Sequence, residues 1–148
     1  MLVCLLMGML PARAATGRVI KVLPQFLGTN GLASLSPSLY ERDAYQKILR
    51  QQANDTNVVS GIRFAVQWKA RGSAAPLKLR IEMRGTAKGD LPSRAILEAE
   101  VRPKGWFSRW TSLPFTGEEY EKFGQVTAWR VTLWEGDQLL GEQKSFLW

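Results

Sequence analysis

Three aromatics and three cations crowd into nine residues of this chain, Arg102-Pro103-Lys104-Gly105-Trp106-Phe107-Ser108-Arg109-Trp110. Indole and phenyl faces stack on sugar rings and attract cations, while guanidinium and ammonium groups hold anions. Trp and Arg also dominate the energetics of recognition surfaces. Pro103 and Gly105 mark the segment as a loop. Two fates are open to it. As a structural plug, Trp106 and Phe107 fold inward and close one end of the domain, with Trp110 starting the next strand. As a binding loop, Arg102, Lys104, Trp106, Phe107, Arg109 and Trp110 together form a ligand site. The plug is the expectation.

A second group of cations, Arg63, Lys69, Lys78, Arg80 and Arg84, falls on the polar side of two alternating segments and suggests one basic face. Such a face suits an acidic polymer or anionic head groups. The plainer account pairs these residues across strands with Glu82, Glu98 and Glu100, each pair worth about a few tenths of a kcal/mol. Glu98 and Glu100 are also the candidates for two-carboxylate hydrolysis, which needs the acids across a cleft. Neighbouring cations account for them more simply.

What is missing excludes more than what is present. The sequence has no histidine and a single cysteine, Cys4. Ser-His-Asp and Cys-His catalysis are excluded, as are imidazole or multi-thiolate metal sites. No cofactor and no metal are expected, and no phosphate-binding glycine loop is present. The formal charge of +7 and pI near 9.9 suit acidic partners, while the plainer account, preferred because the cations are spread along the chain, is that the charge keeps the domain soluble.

Residues 1–10 form a short apolar run, followed by Pro11-Ala12-Arg13-Ala14-Ala15. This matches the apolar core and small-residue cleavage site of an export signal, at about half the length needed to span a bilayer. The expected organisation is a signal over residues 1–14 and one domain over 15–148. The protein is then periplasmic or secreted, with no transmembrane span after cleavage.

Several elements must position these groups. Residues 18–27 form an apolar strand in which Pro24 lacks a ladder donor, which places it at an edge or bend. A helix is expected over about 37–52, introduced by Ser36-Pro37 or a Ser38/Glu41 capping box, with Tyr40, Ala44, Tyr45, Ile48 and Leu49 as its packed stripe. Ile62, Phe64, Val66 and Trp68 alternate with polar residues, as do Leu77, Leu79, Ile81 and Met83. These two strands are expected to pair as a hairpin. A further strand carries Leu97, Ala99 and Val101. A short helix over about 117–123, capped by Thr116, is stapled by Phe115 and Tyr120. The end of the chain forms a hairpin turning at Gly136-Asp137, with a bulge at Gly141.

Six or seven such strands indicate an antiparallel two-sheet β-sandwich. The closing segment, AWRVTLWEGDQLLGEQKSFLW, resembles the last two strands of immunoglobulin-like sandwiches, although the Cys…Trp…Cys hallmark is absent. The resemblance implies architecture and no activity. The functional expectation is a monomeric, non-catalytic envelope module that binds a protein partner through free strand edges. The alternatives are a polysaccharide- or polyanion-binding module using residues 102–110 and a carboxylate hydrolase. Nucleic acid is not an expected partner.

Overall fold

The computed structural model describes residues 14–148, and the segment assigned to an export signal lies almost wholly outside them. Seven strands and two helices follow in the order β1 (Thr16–Gly28), α1 (Leu39–Gln51), β2 (Val59–Arg71), β3 (Leu77–Ala87), β4 (Leu91–Val101), β5 (Arg109–Thr116), α2 (Gly117–Phe123), β6 (Gln125–Glu135) and β7 (Gln138–Lys144). They build two antiparallel sheets, β1-β2-β5 and β4-β3-β6-β7. In the lettering of immunoglobulin-like sandwiches this order is A-B-E against C′-C-F-G.

The alternation of β2 and β3 reports their faces correctly, but the two do not form a hairpin. β2 pairs with β1 and β5, whereas β3 pairs with β4 and β6. The chain crosses between sheets after Arg71. Inward-facing Ile62, Phe64, Val66 and Trp68 of one sheet meet Leu77, Leu79, Ile81, Met83, Val131 and Leu133 of the other, all almost fully buried. Burying each large side chain contributes about 1.5–3 kcal/mol. Trp129 meets the Phe64 ring edge-on at 6.4 Å.

Pro24 lies on an edge strand, as its missing N–H requires. Part of that edge is covered by α1. Gln46 donates its amide to the carbonyls of Phe26 (2.8 Å) and Ala33 (2.7 Å) and accepts from the Phe26 N–H (2.9 Å). The helix therefore packs through Tyr45, Gln46 and Leu49, and a glutamine occupies the inner face. Tyr40, Ala44 and Ile48 of the expected stripe do not join it: Tyr40 and Ile48 are exposed. The N-cap is Ser38, without a side-chain cap hydrogen bond. Helix α2 spans the expected residues with Thr116 at the N-cap position but without a side-chain cap hydrogen bond, and Phe115 meets Tyr120 edge-on at 5.9 Å.

One long side of the sandwich is closed. Gln143 donates to the Ile20 carbonyl across the β1/β7 gap (2.8 Å), and a Cβ on Gly141 would lie 2.6 Å from the Arg18 Cα. Only a glycine allows that approach. The bulge falls one residue before its expected place: Leu133 faces Gly141 and Trp134 faces Leu139, which leaves Leu140 as the extra residue. Glu142 consequently stands opposite Thr132 and Lys144 opposite Arg130. On the other long side, β4 and β5 each pair with a single strand.

Candidate binding loop and the two charged faces

The segment between β4 and β5 does not plug the sandwich. Trp106 is 73% exposed, Phe107 79% and Trp110 52%. Local geometry explains the outcome. Lys104 and Phe107 form an isolated bridge around a tight turn, with the Phe107 N–H directed at the Lys104 carbonyl (3.4 Å). Gly105 takes the first central position at φ 57°, a conformation that favours glycine. A turn this short leaves Trp106 at its tip, with no length of chain to fold back over the core.

Three contacts fix the loop to the scaffold. Arg109 donates to the Arg102 carbonyl (3.3 Å), spanning its base. Gln67 of β2 donates to the Ser108 hydroxyl (3.0 Å). The Arg71 guanidinium lies 4.0 Å over the Trp106 ring, a contact worth about 0.5–1 kcal/mol at an exposed site. Arg71, missed at the sequence level, is thus part of the site. It faces a hollow of about 470 Å³ lined by Ala14, Thr16, Gly72, Gly105 and Trp106. Small-molecule sites ordinarily measure roughly 300–1,000 Å³. Arg102 reaches Glu100 at 3.6 Å with both side chains exposed. Arg71, Lys104 and Arg109 form no ion pair among the described residues.

The five cations assigned to one basic face are divided between two. Arg63 and Lys69 lie on β2, whereas Lys78, Arg80 and Arg84 lie on β3, in the opposite sheet. Since both strands turn their apolar residues to the shared core, their cations point away from each other. On the β3 side they are matched. Glu98 takes Lys78 (3.7 Å) and Arg80 (3.8 Å), Glu82 takes Arg80 (3.3 Å) and Arg130 (3.8 Å), and Glu142 takes Arg130 (2.9 Å). The chain of pairs crosses all four strands of that sheet. Arg84 lies 4.0 Å over the Trp148 ring instead. Glu98 and Glu100, the hydrolase candidates, both have cationic partners, which accounts for their charge.

The β1-β2-β5 sheet differs. None of the 13 acidic residues of the chain lies in its three strands. Its outward face carries Arg18, Lys21, Arg63, Lys69 and Arg71. Among the described residues none of these forms an ion pair.

Comparison with protein-family models, curated proteins and solved structures found no match. Among the described residues no helix is long and apolar enough to cross a membrane.

Proposed function

We propose that the protein is an exported, non-catalytic module that binds an acidic carbohydrate at the end of the sandwich formed by residues 102–110 and Arg71. The carrying observation is the exposure of Trp106 and Phe107 on a pinned turn beside Arg71, Lys104 and Arg109, which form no ion pair among the described residues. Ring faces supply stacking for sugars, and Arg71, Lys104 and Arg109 supply the charge for carboxylate or sulfate groups. Exposed aromatics clustered beside cations form a contiguous patch of the kind that marks a binding site.

Calorimetry of the protein with polygalacturonate, and with neutral dextran as control, tests the reading. Trp106→Ala is expected to weaken polygalacturonate binding by at least about 30-fold, the mark of a dominant contact residue, with the fold intact by circular dichroism. Equal affinity for dextran, or indifference to Trp106→Ala, would count decisively against it. A second reading, capture of a protein partner by strand addition, is favoured by the single-sided pairing of β4. It predicts an envelope protein whose capture is lost in Ala95→Pro while polygalacturonate binding persists.

A further inference from the structure

Resting on the carbohydrate reading of the loop, we infer that the outward face of β1-β2-β5 continues the site as a track for a linear, polyanionic polysaccharide. The pairing registers lay this face out in rows. Lys69 of β2 stands opposite Arg18 of β1, and Gln67 stands between Lys21 of β1 and Trp110 of β5. Arg63 lies further along between Gln25 and Pro114, its guanidinium donating to the Gln25 amide oxygen (2.8 Å). Trp110 therefore belongs to the loop by sequence and to the sheet face by position. It joins the two into one strip.

Like charges placed directly opposite in a sheet destabilise it. The other sheet also opposes Arg84 to Arg94 and Arg130 to Lys144, but there Glu82 and Glu142 pair with Arg130. Arg18 and Lys69 stand opposite each other with no acidic residue anywhere in their sheet. An arrangement that disfavours the free protein points to an anionic ligand that relieves it. Outward positions on a strand recur about every 6–7 Å, so Arg63 to Arg71 covers about 26 Å. A track of that length takes an extended chain of several charged sugars, not a single one.

The same geometry argues against a membrane. A planar surface docked on the Trp106/Phe107 tip touches the end of the sandwich and leaves Lys21 and Arg63, on its flank, unengaged. A flexible linear polymer reaches both.

The test uses the full chain, polygalacturonate as the long probe and digalacturonate as the short one, titrated over a range of NaCl concentrations. Arg18→Gln/Lys21→Gln/Lys69→Gln is expected to weaken polygalacturonate binding about tenfold, from three solvent-accessible charge contacts. Its log K should also fall less steeply with log salt, because fewer counterions are released. Digalacturonate binding should be unchanged. Lys78→Gln/Arg94→Gln/Lys144→Gln removes the same net charge from the opposite sheet and should stay within about twofold of wild type. Equal losses in the two triple variants would reduce the effect to net charge and overturn the track. So would an unchanged polygalacturonate affinity in the first triple beside a large loss in Trp106→Ala, an outcome that leaves the loop reading standing. Tighter binding to phosphatidylglycerol vesicles than to polygalacturonate would overturn it in favour of a membrane. No binding of either saccharide would overturn both the track and the loop reading.

Discussion

The outward faces of the two sheets start from similar material and end in opposite electrostatic states. β2 offers Arg63, Lys69 and Arg71, and β3 offers Lys78, Arg80 and Arg84. Lys78 and Arg80 of β3 are spent on acids of their own sheet, Glu98 on neighbouring β4 and Glu82 on β3 itself, and Arg84 lies over the Trp148 ring. Beside β2 stand strands without a single acid. The difference lies in the acids that each sheet supplies, not in the cations of the two strands. The unmatched face is contiguous, through Trp110, with the exposed aromatics of the 102–110 loop.

The largest way to break this contrast is to reverse Glu82, which is mostly sheltered and bridges Arg80 and Arg130. Glu82→Lys places three cations together and is expected to cost about 1–2 kcal/mol, more than loss of one exposed pair. Urea denaturation measures it, and the deficit should shrink at high salt. A loss below a few tenths would show that the ion-pair chain contributes nothing to stability. The reciprocal change, Lys69→Glu, gives the cationic face its first acid, opposite Arg18. It is expected to stabilise by about 0.2–1 kcal/mol while weakening polygalacturonate binding. Destabilisation there would mean that the face is not electrostatically strained. The smallest effect lies beneath both faces. Burial raises the Tyr120 phenol above its ordinary value. Above about pH 10 the unfolded chain releases that proton while the native state retains it, so stability falls as pH rises. Tyr120→Phe should flatten this alkaline limb, and an unaltered limb would assign the loss to other groups.

Much of the fold is legible in local signals, because those signals are local in origin. The two-residue turn at Gly136-Asp137 and the Thr116-led helix α2 need only their own residues to specify them. The alternation in β2 and β3 likewise gives each strand its buried face. It is silent about which strand lies alongside, and sequence neighbours pair only about two-thirds of the time. The expected β2–β3 hairpin fails for this reason, and with it the single basic face. Gln46 is a different case: its polarity assigns it to solvent, yet the free edge of β1 makes an amide the best-matched group to bury. Composition marks residues 102–110 as a recognition segment, while their exposure depends on a turn two residues wide. The unmatched face has a signature in the chain that strand-by-strand alternation overlooks. Residues 16–28, 58–71 and 109–116 contain no acid at all, so the charge is already segregated along the primary structure.

The extra residue in β7 bears on how this protein can vary over time. Side-chain direction in a strand depends on counting parity, and Leu140 shifts that count by one. Paired without the bulge, Glu142 would stand opposite Val131 and Lys144 opposite Trp129, which turns charge toward the hydrophobic interior. Deleting Leu140 itself merely straightens the ladder and keeps Glu142 opposite Thr132. Deleting Gln143 has no such escape: keeping the bulge brings Lys144 opposite Val131, and dissolving it brings Glu142 there instead. Single-codon deletions are therefore tolerated at the bulge and selected against three residues later, so the length of β7 beyond Gly141 is under tighter constraint than most of its individual residues.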